Sequence, residues 1–115
     1  MNEEFWDYLQ NLVISSKIVI DRPIGTTHHR FAGEGYPVDY GYLEGTSAVD
    51  KSGVDIWVGT LGMGKVVGVF CSVDLLKRDA ELKILFDCSA EEIELINAFI
   101  NNGQMRALLV QKDNG

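Results

Sequence analysis

Between Lys17 and Asp87 the chain repeatedly builds a short apolar or alternating run and then breaks it with glycine, proline or aspartate. This rhythm is the strongest constraint on the fold, because such runs suit strands and are too short for ordinary helices. Lys17–Asp21 reads as a strand that stops before Pro23, which cannot continue a ladder. Thr26–Pro37 is polar and glycine-broken, hence a loop, and Val38–Leu43 is a short aromatic strand. Asp50-Lys51-Ser52-Gly53 is a turn that leads into a strand over Val54–Thr60. Lys65–Asp74 is a long β-branched run, and Glu81–Asp87 alternates as a further strand.

Helical signals flank this region. Glu3–Val13 places Phe5, Leu9, Leu12 and Val13 on one side of a short helix. Ser89-Ala90-Glu91-Glu92 is a capping box, and Ile93, Ile96, Phe99 and Ile100 mark one face of a helix ending near Gly103. Met105–Gln111 closes as a strand, with a frayed tail from Lys112. Strands joined by turns rather than helices favour a meander or small barrel over a parallel α/β sheet. The expected class is β-rich α+β, in one domain spanning residues 1–115, since 115 residues suffice for one core.

Charge narrows the partners. Ten Lys and Arg against 17 Asp and Glu leave a net charge of −7, which disfavours duplex DNA and anionic membrane, so neither nucleic acid nor membrane is expected as a partner. No apolar run approaches the roughly 18 residues of a membrane helix. The acidic start lacks the basic region of a signal peptide, and two cysteines make no disulfide framework, so the expected location is cytoplasmic. Cys71 and Cys88 sit in apolar stretches and read as small core filler. Trp6, Tyr8 and Trp57 read as core or interface residues, and Glu91, Glu92 and Glu94 as a solvated face favoured by the helix dipole.

Gly59-Thr60-Leu61-Gly62-Met63-Gly64-Lys65 has the GxxxxGK spacing of a phosphate-cradling loop. Position 66 is Val, so the Mg²⁺-ligating hydroxyl is missing, and a β-branched run follows where that motif needs a helix N-terminus. The expected structure is a glycine-rich turn between strands.

The aspartates are more informative. Asp50 and Asp55 flank a turn, Asp74 ends a strand, and Asp79 opens the next segment. Carboxylates at strand ends can converge on one mouth of a small barrel and hold hard cations between them. Solvated turn aspartates bonded to their own backbone are the alternative.

Local sequence adds a resemblance. Tyr36-Pro37-Val38-Asp39-Tyr40-Gly41-Tyr42, then Asp50-Lys51-Ser52-Gly53-Val54-Asp55, resembles the soluble (family I) inorganic pyrophosphatases, with their Tyr-Pro-x-Asn-Tyr-Gly-Tyr strand and Asp-x-Asp-Pro-x-Asp turn. Val67-Gly68-Val69 with Asp74 and Asp79, and Ile20-Asp21-Arg22-Pro23 upstream, are similar to further segments of that family. The resemblance covers roughly Lys17 to Asp87. It implies a five-stranded OB-like barrel with the active site at one mouth, a cytoplasmic phosphate-metabolism role, and assembly into a homo-oligomer. It also implies Mg²⁺ held by Asp50, Asp55, Asp74 and Asp79, with Asp55 bridging toward an attacking water. Tyr40 and Arg30 would contact phosphate oxygens, and Asp21 would stand at the rim. A metal-bound water could then attack pyrophosphate or a related phosphoanhydride.

Departures from the pattern point the other way. Ser52 stands where the family has its general-base aspartate, and a serine cannot take the water's proton at ordinary pKa. Glu81 stands in place of a phosphate-binding lysine. The Gly33-Glu34-Gly35 join is shorter than the hairpin that carries an essential arginine. His28 and His29, beside Arg30, are candidates to grip phosphate or shuttle a proton, against a plain solvated loop. Two functions therefore follow from the sequence: Mg²⁺-dependent hydrolysis of a phosphoanhydride, or a catalytically inactive module of the same fold that binds metal, a phosphorylated ligand or a protein partner.

Overall fold

The computed structural model describes residues 2–27, 35–48 and 53–113. Helix α1 (Glu3–Ile14) is followed by strands β1 (Lys17–Arg22), β2 (Asp39–Glu44), β3 (Val54–Val58), β4 (Val66–Asp74) and β5 (Asp79–Phe86). Helix α2 (Ala90–Ile100) and strand β6 (Met105–Gln111) complete the order. The expected elements occur within a few residues of their anticipated bounds.

Local chemistry accounts for the helix ends. The Phe5 amide donates to Asn2 Oδ1 at 3.2 Å, and Glu3 and Glu4 occupy the first turn, where negative charge complements the dipole. Past Ile14, Ser15 and Ser16 turn their hydroxyls back onto Asn11 and Leu12 carbonyls, which terminates α1. The capping box of α2 forms as expected: Glu92 N–H donates to Ser89 Oγ, and Ser89 N–H donates to Glu92 Oε1.

Among the described residues six strands form one sheet, in the order β1-β2-β3-β5-β4-β6. Two expectations change here. The resemblance implied five strands in the sheet, and the strand expected over Met105–Gln111, β6, joins it as well, antiparallel to β4 at the outer edge. The anticipated barrel is instead a sheet whose hydrogen-bonded order runs from β1 to β6. The meander is broken as well: β3 and β5 pair in parallel, with Asp55 opposite Lys83 and Trp57 opposite Leu85. The β4–β5 hairpin makes this possible, because β4 passes beyond the vacant edge of β3 and β5 returns between them.

The sheet buries both faces. Trp57, Phe70 and Leu85 join Ile93, Ile96, Phe99 and Ile100 of α2 in one core. Their sequence neighbours Ile56, Val69 and Ile84 join Leu9 and Val13 of α1 in the other. Successive side chains of a strand point to opposite faces, so the uninterrupted apolar runs of β4 and β5 are what a sheet between two helices requires. Each fully buried Ile or Leu contributes about 2 kcal/mol. One packing expectation narrows and one fails. Tyr8, expected in the core or an interface, is 75% exposed on the outer side of α1 and so is not a core residue. Cys71 is exposed, while Cys88 is buried as anticipated, because Cys71 faces the α1 side of β4 beyond the ground that Leu9 and Val13 cover.

Gly41 in the tyrosine strand has a steric reason. A Cβ there would lie 1.8 Å from the Val19 carbonyl oxygen, so only glycine lets β1 and β2 approach at this register.

Candidate functional site

Period two along β5 puts Asp79, Glu81, Lys83 and Leu85 on one side of the strand. The parallel register sets Asp55 of β3 opposite Lys83, and the hairpin sets Asp74 opposite Asp79. The sheet thus draws carboxylates from three strands into a line that runs from Asp55 past Lys83 and Glu81 to the Asp74–Asp79 pair.

Lys83 organises the middle of that line. Its Nζ donates to Asp55 Oδ2 at 2.9 Å, to Tyr40 Oη at 2.9 Å and to Glu81 Oε1 at 3.1 Å. The side chains are 6% (Lys83), 15% (Asp55) and 10% (Glu81) exposed. All three ammonium hydrogens are therefore used, which is what a buried charge demands. Burial by itself would lower the Lys83 pKa, but Tyr40 and Asp55 outweigh it and hold the group above the ordinary lysine value. Burial pushes the Tyr40 phenol upward, opposed by the Lys83 charge. Burial also raises the Glu81 carboxyl, again against Lys83. Glu81 Oε2 is buried with no hydrogen-bond partner.

Tyr40 is fixed by an aromatic stack with its ring 4.5 Å from Trp57 and 5.5 Å from Tyr36. Behind it, the Ile24 amide donates to Asp39 Oδ1 at 2.8 Å, tying the loop after β1 to the start of β2. A cavity of about 190 Å³ at this end of the sheet is lined by Ser47, Ala48, Val54, Asp55, Ala80, Glu81 and Leu82.

The anticipated site residues fare differently. Asp55 and Tyr40 come together, through Lys83. Asp74 is 1% exposed, and its Oδ1 accepts the Leu76 and Lys77 amides of the hairpin at 3.0 and 3.1 Å, the backbone-bonded role of a turn aspartate. Asp79 is half-buried beside it. Asp21 is exposed at the irregular end of β1. His28, His29, Arg30, Asp50 and Ser52 lie outside the described residues. Among the described residues no three His, Cys, Asp or Glu side chains are grouped to hold a metal ion.

Nor do the described donors fit Mg²⁺ as they stand. The ammonium already bonds both Asp55 and Glu81. At an effective dielectric of about 20, a divalent ion about 4 Å from it would be repelled by about 8 kcal/mol, twice the figure for two unit charges.

Sequence reasoning missed Lys83. Its signal was a lysine at a position of β5 that shares its side with buried Leu85, two residues after a glutamate: an inward charge in such a place requires counter-charges nearby.

The GxxxxGK segment is a turn, as expected, and three of its successive amides are occupied. Met63, Gly64 and Lys65 N–H groups donate to the Asp87 carboxylate at 3.2, 3.0 and 2.9 Å. The loop cradles an anion, but the anion is the protein's own. A larger cleft of about 700 Å³ beside it, lined by Lys65, Asp87, Cys88, Ser89 and Lys112 among others, therefore has these amides turned inward. Glu92, expected on a solvated face, instead receives both the amide and the hydroxyl of Thr60 and so ties this loop to α2.

No family model and no curated protein matches the sequence. Solved structures do match in fold. An inorganic pyrophosphatase of Coxiella burnetii superposes with a TM-score of 0.59 at 16% identity, over 82% of this chain and 82% of that one. An inorganic pyrophosphatase of Helicobacter pylori gives 0.54 at 16% identity, over 84% and 75%. An inorganic phosphatase of Anaplasma phagocytophilum gives 0.53 at 17%, over 84% and 74%. The chain thus has the fold of the inorganic pyrophosphatases, at an identity that speaks for the fold alone. Among its described residues, no helix is long and apolar enough to cross a membrane.

Proposed function

We propose that this chain is a pyrophosphatase-fold binding module that takes a small phosphorylated ligand without Mg²⁺-assisted hydrolysis. The observation that carries this reading is the buried Lys83 ammonium, 2.9 Å from Asp55 and 3.1 Å from Glu81. Hydrolysis of a phosphoanhydride needs a cation that activates water and screens the phosphates. An ammonium with all its hydrogens committed to protein oxygens does neither. Ser52 in place of the base and Glu81 in place of a phosphate-binding lysine point the same way. Arg30, His28 and His29 are the proposed ligand contacts, as a guanidinium and two imidazoles match phosphate oxygens. The cytoplasmic location expected from the sequence and the homo-oligomeric assembly implied by the resemblance belong to this proposal too.

The second reading is Mg²⁺-dependent hydrolysis through Asp50, Asp55, Asp74 and Asp79, with Asp55 directing the water and Tyr40 and Asp21 at the substrate. The fold likeness and the position of Asp55 on the tyrosine-strand face favour it. It requires Lys83 to leave Asp55.

Phosphate release from pyrophosphate with Mg²⁺, paired with calorimetric titration of pyrophosphate, separates the two. The expected result is binding that Arg30→Ala weakens at least tenfold, with no release above background. Steady release that Asp55→Asn abolishes would overturn the binding-module reading in favour of hydrolysis.

A further inference from the structure

We propose that Lys83 is a tethered counter-ion filling a latent divalent-cation position between Asp55 and Glu81, and that removing its charge opens this position to a hard cation such as Mg²⁺ or Mn²⁺. The inference rests on the binding-module reading and deepens it, since it says why the resemblance to a metal-dependent family and the described geometry disagree.

Three oxygens, from Asp55, Tyr40 and Glu81, surround one point at 2.9, 2.9 and 3.1 Å. Hard cations take oxygen ligands at about 2.0 to 2.6 Å, so the same oxygens need to close in by about 0.3 to 1.1 Å. They come from three different strands, held by the sheet registers rather than by a flexible loop. The donor set is thus built into the sheet, and the ammonium is what occupies it.

The second observation is independent of that cluster of bonds. Glu81 Oε2 is buried and without a hydrogen-bond partner, on a side chain 90% removed from solvent. The ammonium has three hydrogens and all are spent, so it cannot satisfy this oxygen. A divalent ion can, by accepting both Glu81 oxygens at once. Charge agrees: two carboxylates and one ammonium leave one unit of negative charge, whereas two carboxylates and one divalent ion balance. Asp79, two residues along the same side of β5, adds to the negative field.

The test compares the intact wild-type chain with Lys83→Met, which keeps the apolar stem, and Lys83→Ala. Mn²⁺ binding is followed by paramagnetic resonance and by the shift in melting temperature. Both variants are expected to bind one Mn²⁺ at least tenfold more tightly than wild type, and to gain melting temperature on Mn²⁺ addition where wild type does not. Adding Asp55→Asn or Glu81→Gln to Lys83→Met should abolish the gain. If the lysine variants are unfolded alone, recovery of near-UV dichroism on Mn²⁺ addition supports the proposal, and continued unfolding overturns it. Equal Mn²⁺ affinity in wild type and variants, or a gain that survives Asp55→Asn, also overturns it. Pyrophosphate turnover by wild type would defeat the functional reading through a different readout, so the two failures are distinguishable.

Discussion

Asp87→Asn is the most direct probe of what holds the GxxxxGK turn in its shape. The Asp87 side chain is buried, and its backbone φ of +54° is left-handed, which asparagine tolerates as well as aspartate. The substitution is therefore nearly isosteric and acts on hydrogen bonding alone. With the amide oxygen placed at Oδ1, the bonds from Met63 and Lys65 survive but lose their charge assistance, about 1 kcal/mol each. The amide nitrogen then faces the Gly64 N–H that Oδ2 accepted at 3.0 Å, donor against donor. Gly64 is exposed and can turn to water, so that loss is also about 1 kcal/mol. Relief from burying a carboxylate returns about 1 kcal/mol, leaving a net destabilisation of about 2 kcal/mol. For a chain of this size that is roughly an 8 °C fall in melting temperature. Urea unfolding at pH 7, read by the fluorescence of buried Trp57, measures it. A loss below about 0.5 kcal/mol would mean that the loop does not depend on this carboxylate, and the internal-anion account of the motif would be wrong.

Other outcomes follow from single contacts. Gly41→Ala should destabilise by about 3 kcal/mol, because its Cβ would meet the Val19 carbonyl at 1.8 Å. Gly45→Ala, with open space around it but a φ of +84°, should cost only about 1 kcal/mol; equal losses in the two urea titrations would contradict the steric argument. Burial holds the folded-state pKa of Glu81 above the ordinary glutamate value, so the native state holds its proton more tightly than the unfolded chain. Its stabilisation is therefore complete below about pH 4.5 and is lost as pH rises through the raised value. The stability difference between wild type and Glu81→Gln should fall across that window, and a flat difference curve would refute the assignment. Burial pushes the Cys88 thiol up to about 12 while Cys71 is exposed. Iodoacetamide at pH 8 should modify Cys71 and leave Cys88 intact in the folded protein, as peptide mass mapping would report; rapid labelling of Cys88 would show that its core position is open.

Much of the architecture was legible in the chain itself. The capping box at Ser89 and the apolar spacing of Ile93, Ile96, Phe99 and Ile100 specify α2 through bonds and contacts only a few residues apart. The runs of β4 and β5 declare strands by the same local logic. The rejection of Gly59–Lys65 as a phosphate loop also rested on local facts, the Val at 66 and the strand after it. What no local pattern reveals is which strand lies beside which. The parallel pairing of β3 with β5 is decided by the β4–β5 hairpin folding over and by the burial of both sheet faces. That pairing alone sets Lys83 across from Asp55. Read along the chain, the aspartates suggested a site awaiting cations; read across the sheet, a lysine 28 positions away from Asp55 (83 against 55) already supplies one. Side-chain alternation tells which way a residue points, and only the tertiary register determines what it meets there.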